Sequence, residues 1–326
     1  MRTETDLLQM ASLPYETKLR MTDQRIKEWV DYFGTDHVYV SFSGGKDSLV
    51  VLHRVRTLYP EANIPAVYCD TGLEYPELKK YVASFENVQV ITPEMTFRQI
   101  IDTYGYPLVS KEVSQVIERV RENLKEGKDT YRVKRIQGRL LDKEGRYSRY
   151  NCPKWAFLLD MDILISNKCC DVMKKHPFTL YEKANKRYGF LGTRALESQA
   201  RAQAWKKTGC NAFHSRRKVS KPLSFWTEQD ILYYLWLHQI KLCSVYGELR
   251  YNEDKEQYYT TGVERTGCMW CAYGCQQEKS PTRFEIMKET HPQIYDYIMK
   301  PREQGGLDYK RIFDEMNQHE GVNIHY

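Results

Sequence analysis

The residues best placed to do chemistry form a short loop between two patterned segments. The loop reads SFSGGKDS, and the segment HVYVSFS that leads into it has the composition of a β-strand. SLVVLHRVRTLY, which begins at the end of the loop, has the apolar spacing of a helix. Two glycines allow a tight turn that brings backbone N–H groups to an anion, while a lysine and a helix N-terminus add positive charge. The pattern predicts a phosphate-binding loop with Lys46 on an exposed position, where the hydroxyls of Ser43 and Ser48 can also donate hydrogen bonds.

Two better-known phosphate-binding motifs are excluded at this loop. The nucleoside triphosphate loop G-x-x-x-x-G-K-[ST] needs a glycine where this chain has Val40, and a serine or threonine where it has Asp47. The dinucleotide fingerprint G-x-G-x-x-G is also absent from the loop.

Nine cysteines form the second group of residues with chemical potential. Cys169 and Cys170 are adjacent, and Cys268 and Cys271 form a C-x-x-C pair. A soft metal site needs about four thiolates, so these four are candidate metal ligands. An iron–sulfur cluster, zinc and unliganded thiols all remain open at this point, whereas a thioredoxin-type redox pair is disfavoured because the C-x-x-C does not open a helix after a strand.

The other five cysteines divide into two groups. Cys152 and Cys275 are candidates for a replacement ligand or a catalytic thiol. Cys69, Cys210 and Cys243 lie in apolar or aromatic surroundings, which is typical of buried thiols.

Composition limits the classes of protein to which the chain can belong. Of its 326 residues, 41% are hydrophobic and 28% charged, which excludes a disordered or collagen-like chain. The formal net charge of +6 suits phosphate-bearing ligands. No apolar run reaches the roughly 18 residues of a membrane span, and the N-terminal residues lack a signal-peptide core. We therefore expect a cytoplasmic protein without a membrane partner.

Alternating strand and helix patterns predict the fold. After a helical lead-in over 1–35, the segment 36–240 predicts an α/β domain with a mostly parallel twisted sheet flanked by helices. This domain carries a charged insertion at about 118–150, and FLLDMDILIS after it has helical patterning. Residues 241–326 are expected to form a small cysteine-bearing C-terminal segment. Ligands of parallel sheets lie beyond the carboxyl ends of the strands, which here are SGGKDS and CDTGLEYPE.

With these elements in place, the chain resembles the adenine nucleotide α-hydrolases, the HUP-like superfamily with a pyrophosphate (PP) loop. SFSGGKDS resembles the PP-loop shared by ATP pyrophosphatases and phosphoadenosine phosphosulfate (PAPS) reductases. Three further elements are similar to the reductase branch, and the resemblance covers 36–274: Asp70-Thr71-Gly72 with Pro76-Glu77, Gly192-Thr193-Arg194 with Glu197-Ser198 and Arg201, and Pro222-Leu223 with Trp226 and Asp230.

The resemblance implies an adenine nucleotide, ATP or a relative, lying across the strand ends with Mg²⁺. Its phosphates would rest near Gly192 and on the loop, at Ser41, Ser43, Gly44, Gly45, Lys46, Asp47 and Ser48. Asp70 and Thr71 would lie near the sugar or the metal ion. Arg194 and Arg201 would lie near the reacting phosphates, which gives a catalytic set of Lys46, Asp47, Asp70, Arg194 and Arg201. The four paired cysteines resemble the [4Fe–4S] ligand set of cluster-bearing adenylyl sulfate reductases, with zinc as the less favoured metal.

One departure from the family pattern decides the predicted reaction. Sulfonucleotide reductases carry a nucleophilic cysteine in a C-terminal Glu-Cys-Gly element, whereas no cysteine follows Cys275 in this sequence. The prediction is therefore cleavage of ATP to AMP and pyrophosphate, which activates an acceptor for sulfur transfer. Two alternatives stay open: a true PAPS or adenylyl sulfate reductase that uses Cys152 or Cys275, and a nucleotide-binding accessory subunit of a nucleic-acid-modifying or defence complex.

Partners follow from the same interpretation. We expect a sulfur-donor protein, and either a homo-oligomer or a place in a larger complex. Basic residues beside aromatic ones suit phosphate contact with base stacking, so a nucleic-acid partner is also considered. The residues concerned are Lys134, Arg135, Arg139, Arg146 and Arg149 with Tyr131, Tyr147 and Tyr150, and separately Arg216, Arg217 and Lys218.

Overall fold

The structure is a computed structural model that describes residues 2–326. These residues form two compact units, each assembled from separate stretches of chain. The first unit contains 2–70, 74–92 and 177–266, and the second contains 71–73, 93–176 and 267–326. The units interleave along the chain, whereas the predicted domains follow one another; the boundaries at 35 and 240 stay a prediction.

Helices and strands alternate along the chain. The helices are α1 (Glu4–Ala11), α2 (Tyr15–Phe33), α3 (Lys46–Leu58), α4 (Pro76–Ala83), α5 (Phe97–Thr103), α6 (Lys111–Lys125), α7 (Tyr131–Ile136), α8 (His176–Asn185), α9 (Gln199–Thr208), α10 (Glu228–Leu237), α11 (Arg283–Thr290), α12 (Pro292–Met299) and α13 (Tyr309–Asn317). The strands are β1 (Val38–Ser41), β2 (Ala66–Cys69), β3 (Val88–Ile91), β4 (Leu108–Val109), β5 (Tyr188–Leu191), β6 (Val219–Ser220), β7 (Leu249–Asn252), β8 (Gln257–Thr260) and β9 (Ala272–Tyr273).

A five-stranded sheet forms the centre of the first unit. Its order is β3-β2-β1-β5-β6, and every neighbouring pair is parallel. On β1, Val40 is opposite Ala66 on one side and Phe190 on the other. The strands are short, and β1 and β2 are almost wholly buried, as expected for a parallel sheet covered by helices, whereas the edge strand β3 is partly exposed. The predicted α/β fold with a parallel sheet flanked by helices is confirmed.

The N-terminal residues form two helices, as predicted, and these helices contribute to the core of the first unit. Ile26 and Trp29 on α2 are fully buried in the hydrophobic core that contains β1 and α3. Lys18 on the same helix is also buried, and its Nζ lies 2.6 Å from Asp230 Oδ2 at the start of α10. The helical lead-in is therefore part of the α/β unit.

The second unit is mostly helical, with one pair of short strands. β4 and β9 are parallel, with Leu108 opposite Ala272. Its core includes fully buried aromatic side chains on α11 and α13, among them Phe284, Tyr309 and Phe313. Among the described residues 2–326, no helix combines the length and the apolar content that crossing a bilayer requires.

The predicted helix at FLLDMDILIS, residues 157–166, is wrong. A 3₁₀ helix spans Pro153–Leu159 and ends within this segment. Ile165 then pairs with Tyr106 in a parallel bridge. The Arg121 guanidinium on α6 donates to the carbonyls of Leu158, Leu159, Met161 and Ile163. Because a distant arginine satisfies these carbonyls, the segment does not need the internal hydrogen bonds of a helix.

Candidate functional site

The predicted phosphate loop joins the end of β1 to the start of α3 in the first unit. Gly44 has φ +75°, and a Cβ there would lie 2.9 Å from Val82 Cγ2, so a side chain is disfavoured on both counts. The loop's N–H groups have internal acceptors. Ser43 N donates to Ser48 Oγ at 3.1 Å, and Gly45 N donates to Ser43 Oγ at 3.3 Å. The loop is thus held in a defined conformation by its own serine hydroxyls.

Lys46 is buried, and the expectation of an exposed loop lysine is wrong. It is the first residue of α3, and its side chain is 2% exposed. Its Nζ donates to the Glu264 carbonyl oxygen at 2.5 Å and lies 2.9 Å from Glu228 Oε1. The same Nζ lies 5.4 Å from the centre of the Tyr246 ring. Later parts of the chain cover Lys46, which local sequence patterning does not reveal.

Tyr246 also contacts the loop directly. Its hydroxyl accepts a hydrogen bond from Lys46 N at 3.1 Å and lies 2.9 Å from Thr266 Oγ1. Burial raises the pKa of Tyr246 to about 12, so its hydroxyl remains protonated at neutral pH.

Arg194 connects the loop to two carboxylates. Its Nε donates to Asp47 Oδ1 at 2.5 Å, and its Nη2 contacts the Glu228 carboxylate. The arginine side chain is 5% exposed. The structure therefore brings together Lys46, Asp47 and Arg194, three of the five predicted catalytic residues.

Two further arginines lie near this group. Arg201, on α9, is half-exposed and pairs with Glu197. Partial burial lowers the pKa of Arg201, and the positive charges of Arg265 and Arg194 lower it further, while Asp47 opposes the shift. The charges of Arg194 and Arg265 thus act on Arg201, which associates the three arginines in the first unit.

Four residues of this site were missed at the sequence level. From the sequence, Glu228 is expected in the first turn of a helix, and Tyr246 is an aromatic residue that precedes a loop. Glu264 and Arg265 lie just before the C-x-x-C and belong to none of the motifs described above. The basic residue beside a glycine-containing loop was a usable signal for Arg265, whereas no sequence signal marks Glu228 as the partner of Lys46.

Gly192 lies where β5 approaches α3. A Cβ on Gly192 would be 2.6 Å from Ser48 N and 2.7 Å from Asp47 C. Only a glycine lets the two backbones come this close. The structure assigns Gly192 a packing role beside the loop, and its predicted contact with a nucleotide stays a prediction. Ser41 is the last residue of β1 and is half-buried.

Asp70 and Thr71 follow β2. Asp70 N donates to the Ile91 carbonyl at 2.9 Å, and its carboxylate lies 2.6 Å from Lys79 Nζ. Thr71 is buried in the second unit, and its Oγ1 accepts from Leu73 N at 3.2 Å. Their predicted roles near a sugar or a metal ion stay predictions.

The four paired cysteines all belong to the second unit. Burial raises the pKa of the Cys169 thiol, and the charges of Cys170, Cys268 and Cys271 raise it further, so the four thiols lie in one neighbourhood. Cys271 N donates to the Cys268 carbonyl at 3.2 Å, which closes the turn of the C-x-x-C. Four adjacent thiols are a donor set that suits a soft metal or an iron–sulfur cluster.

The spacing of these groups is not that of a formed metal site. Over residues 2–326, no three His, Cys, Asp or Glu side chains are arranged so that they could hold a metal ion. The chemistry of the four thiols fits the predicted group, whereas their arrangement does not yet provide its coordination. A cluster or zinc ion at this place stays a prediction.

The remaining cysteines are protonated or buried. Cys275 is 2% exposed, its Sγ donates to the Ala272 carbonyl at 3.0 Å, and burial raises its pKa to about 12. Cys152 is half-buried, and burial raises its pKa although Arg135 opposes the shift. The prediction of buried thiols is confirmed for Cys69, Cys210 and Cys243.

The proposed nucleic-acid stretch is on the surface. Three tyrosines there are exposed by 51–76%, and the Arg149 guanidinium lies 5.1 Å from the centre of the Tyr150 ring. Several of its basic residues pair with carboxylates of the same stretch, as Arg139 does with Asp129 and Arg146 with Asp142. In the first unit, Arg217 pairs with Glu182. The surface has aromatic and basic groups, and its partner stays a prediction.

The fold and the loop place the chain among α/β proteins of the PP-loop type. The family model of the phosphoadenosine phosphosulfate reductase domain matches residues 37–126 and 108–273, well over half of the chain. The chain belongs to this family.

Other comparisons show only remote similarity. No curated protein matches the sequence. Among solved structures, the chain is similar to the PAPS reductase from Candida auris in complex with phosphate, with a TM-score of 0.38 and 12% identity over 75% of this chain and 91% of that one. This similarity is too remote to transfer a function.

Proposed function

We propose that this protein binds an adenine nucleotide by its phosphates at the loop of residues 41–48 and cleaves ATP to AMP and pyrophosphate. The observation that carries the proposal is the convergence of Lys46 and Arg194, both buried, beside a glycine loop at the start of α3. Both cations contact the Glu228 carboxylate, because a buried cation is costly unless an anion offsets its charge. A phosphate chain is an anion that suits two such cations, because Arg and Lys both bind phosphate oxygens.

The reaction fits the residues of this region. An acceptor oxygen would attack the α-phosphorus of ATP, and pyrophosphate would leave with Mg²⁺ bound to it. A sulfur nucleophile would then displace AMP from the adenylated acceptor. Lys46, Arg194, Arg201 and Arg265 would neutralise charge on the phosphates, which is the main demand of phosphoryl-type chemistry.

Two thiols argue for ATP over a sulfonucleotide as the substrate. Sulfonucleotide reduction needs a thiolate to attack sulfur, and a thiolate forms readily only when the pKa is near or below neutral. Cys275 is buried with a pKa of about 12, and the pKa of Cys152 is raised. Neither thiol has the properties of an activated nucleophile. The second candidate function, reduction of PAPS or adenylyl sulfate with release of sulfite, is favoured by the family match.

A [4Fe–4S] cluster on Cys169, Cys170, Cys268 and Cys271 completes the proposal, with zinc as the alternative metal. With all four thiols bound, every iron of such a cluster would be coordinated, so an incoming sulfur could bind iron only where one of the four cysteines is released. The shared neighbourhood of the four thiols supports it. A sulfur-donor protein, a cytoplasmic location and a homo-oligomeric or complexed state belong to the same proposal.

The test uses protein purified without oxygen and incubated with Mg²⁺ and one nucleotide at a time: ATP, adenylyl sulfate or PAPS. With water as the acceptor in place of the unidentified one, we expect slow formation of AMP and pyrophosphate from ATP, and loss of both products in the Arg194→Met variant. The charge-neutralising variant Arg250→Met, on the exposed strand β7, serves as the control. Release of sulfite from either sulfonucleotide, without pyrophosphate from ATP, would replace the proposal with the reductase function. Nucleotide binding without any turnover would mean either that the acceptor must be present or that the protein is a nucleotide-binding accessory subunit.

A further inference from the structure

The carboxylate of Glu228 contacts both buried cations of this site, Lys46 on the phosphate loop and Arg194 beside it. Glu228 Oε1 lies 2.9 Å from Lys46 Nζ, and its Oε2 contacts the Arg194 guanidinium. The two oxygens of a single carboxylate therefore bridge the two groups that would bind a phosphate chain.

The backbone donors of the loop are occupied in the same way. Ser43 N donates to the Ser48 hydroxyl, and Gly45 N donates to the Ser43 hydroxyl. Lys46 N donates to the Tyr246 hydroxyl. Cations and N–H groups together make an anion site, and in this structure side chains of the first unit fill it.

We propose that Glu228 occupies the place of a phosphoryl group and must leave when a phosphate chain binds. This inference rests on the proposed function. Arginine binds a carboxylate and a phosphate through the same pair of parallel hydrogen bonds, so one anion can replace the other without moving the cations.

Exposure indicates which partner moves. The Glu228 side chain is 39% exposed, whereas those of Lys46 and Arg194 are 2% and 5% exposed. Glu228 is the first residue of α10, and the cap of that helix is made by Thr227 and Asp230. The carboxylate can therefore turn towards water without unwinding the helix, while the two cations stay in place.

The exchange favours ligands with several negative charges. A ligand with a single charge would only replace the charge that Glu228 already supplies. Pyrophosphate or a nucleoside triphosphate brings additional negative charge, which the positive charges of Arg201 and Arg265 can offset. Glu228 would thus discriminate against simple monoanions at this site.

The experiment is titration calorimetry of the full chain with inorganic pyrophosphate. Glu228→Gln keeps the shape of the side chain but removes its charge, so we expect about tenfold tighter binding than in the wild type, the effect of losing roughly one charge-assisted contact. The near control is Glu197→Gln, which removes an equal charge from a residue that contacts Arg194 and Arg201 and that is not a partner of Lys46 in this structure. The remote control is Glu248→Gln on the exposed surface.

The outcomes separate the two proposals. Tighter binding in Glu228→Gln alone supports the exchange. An equal gain in Glu197→Gln would mean that loss of any nearby negative charge strengthens binding, which would overturn the inference. Unchanged or weaker binding in Glu228→Gln would also overturn it. In both cases, binding of pyrophosphate by the wild type would still support the phosphate site. Absence of pyrophosphate binding in every protein would overturn the phosphate site itself.

A second variant covers a loss of folding. If Glu228→Gln does not fold because Lys46 loses its partner, Glu228→Asp retains the charge but is one methylene too short to bridge both cations. We expect it to bind pyrophosphate more tightly than the wild type, and an affinity equal to that of the wild type would contradict the inference.

Discussion

Replacing Gly192 by alanine tests the close contact on which the loop's position depends. The added Cβ would lie 2.6 Å from Ser48 N and 2.7 Å from both Asp47 C and Ser48 Cα. All three neighbours are backbone atoms, so no side chain can rotate away, and β5 must separate from α3 by close to 1 Å to reach ordinary van der Waals distance. Overpacking of this kind typically costs about 1–3 kcal/mol, and the upper end applies because backbone must move.

The assay is urea unfolding followed by circular dichroism. We expect Gly192→Ala to lower the free energy of unfolding by about 3 kcal/mol, and to weaken pyrophosphate binding because the start of α3 moves with the loop. Gly267→Ala is the matched control, since a Cβ there meets nothing within 4 Å. Equal stability of the two variants would refute the reasoning, because the contact would then not restrict the chain.

Four further outcomes are expected. Lys46→Ala should lower the free energy of unfolding by about 2 kcal/mol as well as weaken pyrophosphate binding, because a buried charged hydrogen bond is lost; unchanged stability in urea unfolding would contradict the burial of this lysine. Cys170→Ser should lose iron and visible absorbance after anaerobic reconstitution whereas Cys152→Ser should retain them, and equal iron in both would disprove the ligand set. Cys275 should resist iodoacetamide at about pH 8 in the native protein and react in urea, because its raised pKa keeps the thiol protonated; prompt labelling of the folded chain would contradict that. Single-stranded nucleic acid should bind with an affinity that falls steeply as the salt concentration rises, and the affinity should weaken when the exposed Tyr131, Tyr147 and Tyr150 are changed to alanine. Salt-independent or absent binding would exclude this partner.

The fold of the first unit was predictable because its signals are local. Four of the five strands are short segments rich in apolar residues, as at β1, which is followed by the helical spacing of α3, whereas the two-residue strand β6 has no such signal. The N-cap of α10 is also local, since the Thr227 side chain accepts from Asp230 N three residues further on. Local patterns of this kind survive in the folded chain where no distant contact opposes them.

What the sequence did not predict depends on distant contacts. The helical pattern of 157–166 is overridden by one guanidinium, that of Arg121, some forty residues away. The burial of Lys46 depends on Glu228 and on the Glu264 carbonyl, about two hundred residues further along. No local pattern encodes such pairs, so the loop's motif was recognisable while its surroundings were not.

The pairing of β4 with β9 has a consequence for how the cysteine region matures. Leu108 pairs with Ala272, so the second unit cannot close until the chain beyond β9 has been synthesised. Cys169 and Cys170 leave the ribosome well before Cys268 and Cys271, and during that interval they are thiols without their partners. If the four thiols hold the proposed metal group, its assembly has to wait until Cys271 has been synthesised, and the early pair is open to oxidation during that interval.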